Sequence, residues 1–390
     1  MSETGKSKGH YAGLFGDQSS RCCAVVFGES EQTPPTPLYL AADIGGTTSR
    51  FALFEDLGGT MRLRSVERIP TSEAESFNDL LRLLKDGPLG PELSHCRAGA
   101  LAVAGAVQGG IQADPPNIPW AIDVRSTNLS GLPDTLILLN DFAAQAYACK
   151  TAALDEAVTI NAGRRNERGM VGVIGAGTGL GHGMLAPLPE QGLGDFPGRS
   201  FLAWPSEAGH AAFAFVNREE AAFEDFVRRE LGLEYVYGDV VVSGQGLALL
   251  HRFHFGQDLR PEQAAAAMDE TSPVMSWFAR FYGRACRHFA LNILATGGIV
   301  VTGGVAAKNP GLMRHPEFFR EFTDNPNYRA LLQDIPVVLN TNQDSGLWGA
   351  ALAAKLAARR RPIPSATPPE PHGNHETGRT CAEGRLVADG

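Results

Sequence analysis

The chain has 390 residues, of which 43% are hydrophobic and 20% charged, with a net charge of −9. That length can bury a full core and makes two domains the natural expectation. The acidic balance argues against a nucleic-acid binder, which needs a basic face, so no nucleic-acid partner is expected.

The six cysteines, Cys22, Cys23, Cys96, Cys149, Cys286 and Cys381, form no C-x-x-C pair. A zinc site is therefore not expected, and the scatter fits reduced thiols in a cytoplasm. The polar start lacks the apolar stretch of a secretory signal. The longest uncharged run, residues 289–307, has the length of a membrane span. Its two Gly-Gly pairs, Asn292 and threonines instead read as a helix end, a turn and a buried strand. A cytoplasmic protein with no membrane partner is the expectation.

Residues 1–37 read as a flexible extension. It holds one candidate short strand at 23–27 and is closed by Pro34, Pro35 and Pro37. The fold opens at Leu38 with apolar strand, glycine turn and second strand. Asp43 ends the first strand, Gly45 and Gly46 make the turn, and Thr47 and Thr48 follow. Glycines let backbone N–H groups face an anion without a Cβ in the way. The threonines add hydroxyl donors, and Asp43 can hold a cation beside that anion, directly or through water. The stretch lacks the Gly-Lys of a Walker loop and the three-glycine spacing of a dinucleotide loop. Taken alone, it fits an ordinary hairpin turn as well as a phosphate seat.

Phe77, Leu80, Leu81 and Leu84 follow at the spacing of an amphipathic helix. Residues 99–104 read as a buried strand and 105–110 as a hairpin. Asn117, beside Pro115 and Pro116, reads as a turn asparagine. Residues 135–139 read as a strand that stops at Asn140-Asp141, where a helix begins. Asparagine and aspartate both favour a helix N-cap. Then the opening pattern returns: a strand at 169–174, a glycine loop with Gly175, Gly177, Thr178 and Gly179, and a second strand from Leu180. The segment 183–200, rich in Gly and Pro, reads as a surface loop or part of a dimer contact. Asn217 and Glu220 suggest a capping box, leading a helix with the stripe Phe223, Phe226, Val227 and Leu231 that Gly232 stops. Helices at 243–253, from Pro261 and at 273–294 precede a strand at 298–302 that ends in Gly303-Gly304. A strand at 336–339 and a helix at 345–360 end the fold. The tail from 361 reads as disordered. Strand, glycine loop and strand thus occur twice, the mark of a duplicated α/β unit whose halves face one cleft and can close over it.

Asp43-Ile44-Gly45-Gly46-Thr47, Leu139-Asn140-Asp141-Phe142, Gly175-Ala176-Gly177-Thr178-Gly179-Leu180-Gly181, Glu207-Ala208-Gly209-His210 and Thr302-Gly303-Gly304 occur in this order. Each is weak alone, but together they resemble the bacterial glucokinase family, within the sugar kinase, actin and Hsp70 superfamily. The resemblance implies a two-lobed, duplicated α/β fold of the actin-like, ribonuclease H-like ATPase type with an interdomain cleft. The small domain would span 38–140, completed by the helix at 345–360, and the large domain 141–344. It implies ATP and Mg²⁺, glucose as acceptor, and often a homodimer. By resemblance, Ala42, Asp43, Ile44, Gly45, Gly46, Thr47 and Thr48 form the first phosphate loop, with Asp43 holding Mg²⁺ through water. Gly175, Gly177, Thr178 and Gly179 form the second, and Gly303 and Gly304 lie against the adenosine. Asp141 stands in the place of the general base, and Asn117, Asn140, Glu207, His210 and Asp239 in the sugar site.

Elementary chemistry points the same way. An aspartate against a sugar hydroxyl can take its proton as the P–O bond forms. A carboxylate and an imidazole three residues apart supply acceptor and donor to sugar hydroxyls. Outside that motif, Glu207 and His210 would read as a surface carboxylate and a core histidine. One departure stands out: the family carries glutamate four residues before the Ser-Gly of a helix, and here Ser243-Gly244 follows Asp239. Glucose stays the expected substrate, with affinity or hexose discrimination altered. A repressor/kinase-type sugar kinase ranks second, because no cysteine-rich motif follows His210. A sugar sensor would be expected to lose the base or a phosphate loop. An actin-like filament protein leaves Glu207 and His210 without a role.

Overall fold

A computed structural model describes residues 36–189 and 200–359. The extension before residue 36, its candidate strand, part of the glycine- and proline-rich segment and the tail from 360 lie outside the described residues, as do Cys22, Cys23 and Cys381.

Two sheets form the frame. The first holds β1 (Leu38–Ile44), β2 (Thr48–Leu57), β3 (Thr60–Pro70), β4 (Cys96–Val103) and β5 (Leu136–Asn140), in the order β3-β2-β1-β4-β5. The second holds β6 (Val158–Asn161), β7 (Val171–Ala176), β8 (Leu180–Pro187), β9 (Phe201–Ser206), β10 (Gly298–Thr302) and β11 (Val337–Leu339), in the order β9-β8-β7-β10-β11-β6. In each, a central strand pairs antiparallel with the strand after its glycine turn and parallel with a later strand. The expected duplication is therefore present in strand order and polarity, and β6 is an added antiparallel edge. The central strands β1 and β7 are covered on both faces, which is why they read as near-continuous apolar runs. β3, absent from the sequence reading, alternates Met61 and Leu63 with Arg62 and Arg64, the pattern of a charged edge strand.

The principal helices are α1 (Phe77–Asp86), α2 (Asp141–Ala148), α3 (Arg218–Leu231), α4 (Gly238–Val241), α5 (Gly244–Phe255), α6 (Pro273–Ile293), α7 (Gly304–Lys308), α8 (Pro316–Phe322) and α9 (Ser345–Ala358). Ser76 caps α1 by accepting from the Asp79 N–H, and the stripe from Phe77 to Leu84 is buried as its spacing requires. The uncharged run at 289–307 resolves into the end of α6, a turn, β10 and the start of α7. Among the described residues no helix is long and apolar enough to cross a membrane.

Capping of α3 departs from expectation. Asn217 does cap it, accepting from the Glu220 N–H at 2.9 Å. The Glu220 carboxylate, however, accepts from Val216 N–H at 3.0 Å and from Arg284 at 2.6 and 3.0 Å. Arg284 is fully buried and also reaches Glu321 at 2.8 Å. Helical periodicity reads such charges as surface; here they join α3, α6 and α8 inside the second lobe, where removing one partner would strand a buried charge.

α2 and α9 lie between the sheets. Ala144, Ala148, Ala350 and Ala354 share one core with Ala41 and Phe54 of the first sheet and Val173 and Leu185 of the second. Both helices are alanine-rich, so their backbones meet: a Cβ on Gly349 would sit 1.7 Å from the Ala144 carbonyl oxygen. Gly349→Ala should therefore cost about 1–3 kcal/mol, as overpacking does. Urea denaturation measures it, and an unchanged midpoint would refute the close crossing.

Candidate active site

A cleft of about 600 Å³ opens between the lobes. Asn117, Asn140, Asp141, Gly175, Gly177, Thr178, Gly179, Glu207, His210, Asp239 and Gly303 line it, so most of the candidates from the sequence meet in one place. Ala42, Asp43, Ile44, Gly45, Gly46, Thr47, Thr48 and Gly304 are not in its wall.

At the start of α2, capping the helix and facing the cleft fall to neighbouring residues. Asn140 is the cap: its Oδ1 accepts from the N–H groups of Phe142 (2.8 Å) and Ala143 (3.1 Å), and its Nδ2 donates to Gly105 O at 3.0 Å. Asp141 is the first helical residue, and its carboxylate accepts from the Phe142 N–H at 3.0 Å. Burial pushes the Asp141 carboxyl up to about 7; Asp43 and Glu207 add like-charge repulsion, and the Phe142 N–H opposes. A carboxyl of that kind is poised as a general base near neutral pH.

The first glycine turn borders the cleft without lining it. Gly46 and Thr47 are exposed, while the side chains of Ala42 and Ile44 are buried in the small-lobe core, leaving only their main chain available. The turn is braced by Thr71, whose hydroxyl donates to Gly45 O at 2.6 Å and whose N–H donates to Thr47 O at 3.0 Å. Asn117 bridges turn and cleft, because a Cβ on Gly46 would meet the Asn117 carbonyl oxygen at 2.7 Å. Asp43 pairs with Arg50, directly opposite it in the β1–β2 register, and Arg50 also donates to Asp344 at 2.9 Å and to Gln343 O at 2.8 Å.

The second turn is narrower than its sequence suggested, because Gly175 and Ala176 belong to β7. Gly177 N–H donates to Gly179 O at 2.8 Å, and Gly244 N–H at the start of α5 donates to Gly177 O at 2.9 Å. Gly181 serves packing: a Cβ there would lie 1.8 Å from the Phe142 ring. Gly303, at φ 88°, turns β10 into α7 where a Cβ would lie 2.5 Å from Ala176 O. Glu207 and His210 stand 3.9 Å apart at the cleft, both well exposed, with the imidazole beside Tyr237 at 5.6 Å. Asp239 accepts from the Leu180 N–H at 2.6 Å.

Several lining residues escaped the sequence reading. Gln145 lies one helical turn beyond Asp141, a spacing that would have found it. Asp114, Ser206 and His182 carry no such local signal. His182 is buried, its Nδ1–H donates to Leu180 O at 3.1 Å, and its ring meets Phe289 edge-on at 4.7 Å. Burial pushes it down to about 4, so it is neutral at physiological pH.

A family model described as Glucokinase matches residues 40–357. The chain belongs to the glucokinase family. It is 30% identical over 348 residues to the glucokinase of Chromobacterium violaceum, covering 86% of this chain and 94% of that one. To a glucokinase of Nostoc sp. it is 28% identical over 349 residues, covering 81% and 98%. The crystal structure of a glucokinase from an Antarctic psychrotroph superposes with a TM-score of 0.68 at 26% identity, covering 82% and 98%. As a glucokinase-family member the chain is an ATP-dependent sugar kinase on the actin-like fold.

The raised Asp141 carboxyl carries a stability signature. Its folded-state value of about 7 lies above the ordinary aspartate value near ~4. Its contribution is thus fully present below about pH 4 and is lost as pH rises through about 7. Asp141→Asn should therefore be more stable than the parent by about 1–4 kcal/mol at pH 8 and indistinguishable near pH 4. Denaturation at the two pH values measures this, and a pH-independent difference would contradict the burial described.

Proposed function

We propose that this glucokinase-family chain transfers the γ-phosphoryl group of ATP to the 6-hydroxyl of D-glucose, giving glucose 6-phosphate and ADP, with Asp141 as general base. The observation that carries the reading is the desolvated Asp141 carboxyl in a cleft lined by the second glycine turn together with Glu207, His210 and Asp239.

Glu207 and His210 hold sugar hydroxyls by accepting and donating hydrogen bonds, while Asn117 joins the sugar side to the first glycine turn. Asp141 receives the proton of the 6-hydroxyl as that oxygen bonds to the γ-phosphorus and the bond to the β-phosphate oxygen breaks. The N–H groups of Thr178, Gly179 and the first turn face the phosphates, and Gly304, at which a Cβ would meet nothing within 4 Å, leaves room for the nucleoside next to Gly303. Among the described residues, the cleft wall holds Asp114, Asp141, Glu207 and Asp239 but no lysine or arginine. Phosphate charge must then be met by backbone N–H groups and a divalent cation. Asp43, whose charge bears on Asp141, already pairs with Arg50, so it would meet such an ion through water and not as a direct ligand. Mg²⁺ held there through water would neutralise phosphate charge. The small lobe of 38–140 with α9 and the large lobe of 141–344, closing on one another, would exclude water from the transfer.

Removing the base should lower kcat of glucose phosphorylation by about 10²–10⁴-fold in Asp141→Ala. In the parent, kcat/KM should rise with pH through about 7, as Asp141 loses its proton. A coupled ADP assay reads both, and turnover of the alanine variant within about tenfold of the parent would remove Asp141 from this role. Asp239→Glu should change the kcat/KM ratios among glucose, mannose and glucosamine. Unchanged ratios in that assay would show that the shorter side chain does not set hexose choice.

A further inference from the structure

One residue, Leu180, is gripped at both of its main-chain polar groups. Leu180 directly follows the 177–179 turn. Its N–H donates to Asp239 Oδ1 at 2.6 Å, and its carbonyl accepts from His182 Nδ1–H at 3.1 Å. Two glycines make the grip possible. A Cβ on Gly179 would lie 2.2 Å from Asp239 Oδ2, and one on Gly209 would lie 2.2 Å from Leu180 O and 2.5 Å from Asp239 Oδ1. Gly209 belongs to the Glu207–His210 motif, so the sugar wall stacks directly on this peptide. The bond to Asp239 is short and charge-assisted, the stronger class of hydrogen bond. His182 cannot swing freely, because its ring is wedged edge-on against Phe289.

We propose that Asp239 and His182 are positioning residues for the second glycine turn, so that one carboxylate serves the sugar wall with its charge and the nucleotide turn with its hold on the Leu180 N–H. The two substrate sites are thereby linked through a single side chain. An aspartate suits this double role, because a longer side chain would carry its carboxylate past the Leu180 N–H. The proposal rests on reading the 177–179 turn as a nucleotide loop.

The test is calorimetric titration of Mg²⁺ and AMP-PNP into the full chain without sugar, alongside glucose binding without nucleotide. Asp239→Ala should weaken AMP-PNP about tenfold, the scale of one charge-assisted hydrogen bond. Asp239→Asn keeps an oxygen for the Leu180 N–H but loses the charge; it should weaken AMP-PNP by about threefold, less than Asp239→Ala, yet bind glucose about tenfold more weakly. His182→Phe keeps the ring and removes the donor, and should weaken AMP-PNP about threefold. If Asp239→Ala and Asp239→Asn both disturb glucose alone, the linkage is refuted. Should Asp239→Ala fail to fold, unaltered AMP-PNP affinity in His182→Phe refutes it instead. A parent protein that binds no AMP-PNP would overturn the nucleotide-loop reading itself, an outcome distinct from normal parent binding with undisturbed variants.

Discussion

The site depends on keeping a negative charge where physics resists it. Asp141 sits at the N-terminus of α2, where the helix dipole and the Phe142 N–H favour an anion. Against these stand desolvation and the like charges of Asp43 and Glu207, and they win, because the carboxyl is pushed up to about 7. Helix-terminus effects are worth about 0.3–1 kcal/mol at exposed sites, too little to offset burial. In the proposed reaction this cost has a use, because a carboxylate fully at ease in water is a poor acceptor for an alcohol proton. Asp43, one source of that repulsion, has its own charge met by Arg50 across the hairpin.

Glycine does two different jobs in the motifs that line the cleft. In the 177–179 turn it frees backbone N–H groups. At Gly181 and Gly183 it makes room for Phe142, the residue after Asp141. At Gly209 it lets the 207–210 motif lie on Leu180 and Asp239. The position of Asp141 is thus set partly by space left empty on β8, since a side chain at either of its glycines, Gly181 or Gly183, would push the start of α2 away from the second sheet.

Much of this was legible in the residues. The repeated strand–glycine–strand pattern announces the two matching sheets, and the spacing of Phe77, Leu80, Leu81 and Leu84 yields α1. The ordered motifs place Asp141, Glu207, His210 and Asp239 in one cleft. What stayed hidden depends on tertiary neighbours. The charges of β3 obscure its alternation because it is an edge strand. Glu220, Arg284 and Glu321 look like surface residues until three helices are packed together. His182 gives no periodic signal, and its partner carbonyl is defined only once β8 is folded. Arg50 was within reach, since the hairpin register alone sets it opposite Asp43. The division of labour between Asn140 and Asp141 was not, because either residue type can cap a helix.

The seam of alanine and glycine between the sheets has a bearing on how the molecule is made. α9 packs on β1 and β4 of the first sheet, yet it is translated only after every strand of the second. While the ribosome is still adding the second lobe, the first exposes the apolar surface that α9 will cover. The polypeptide therefore emerges with its first-made sheet waiting on its last-made helix. Such distant pairing slows folding and prolongs exposure to aggregation, which leaves the nascent chain a natural client for chaperones.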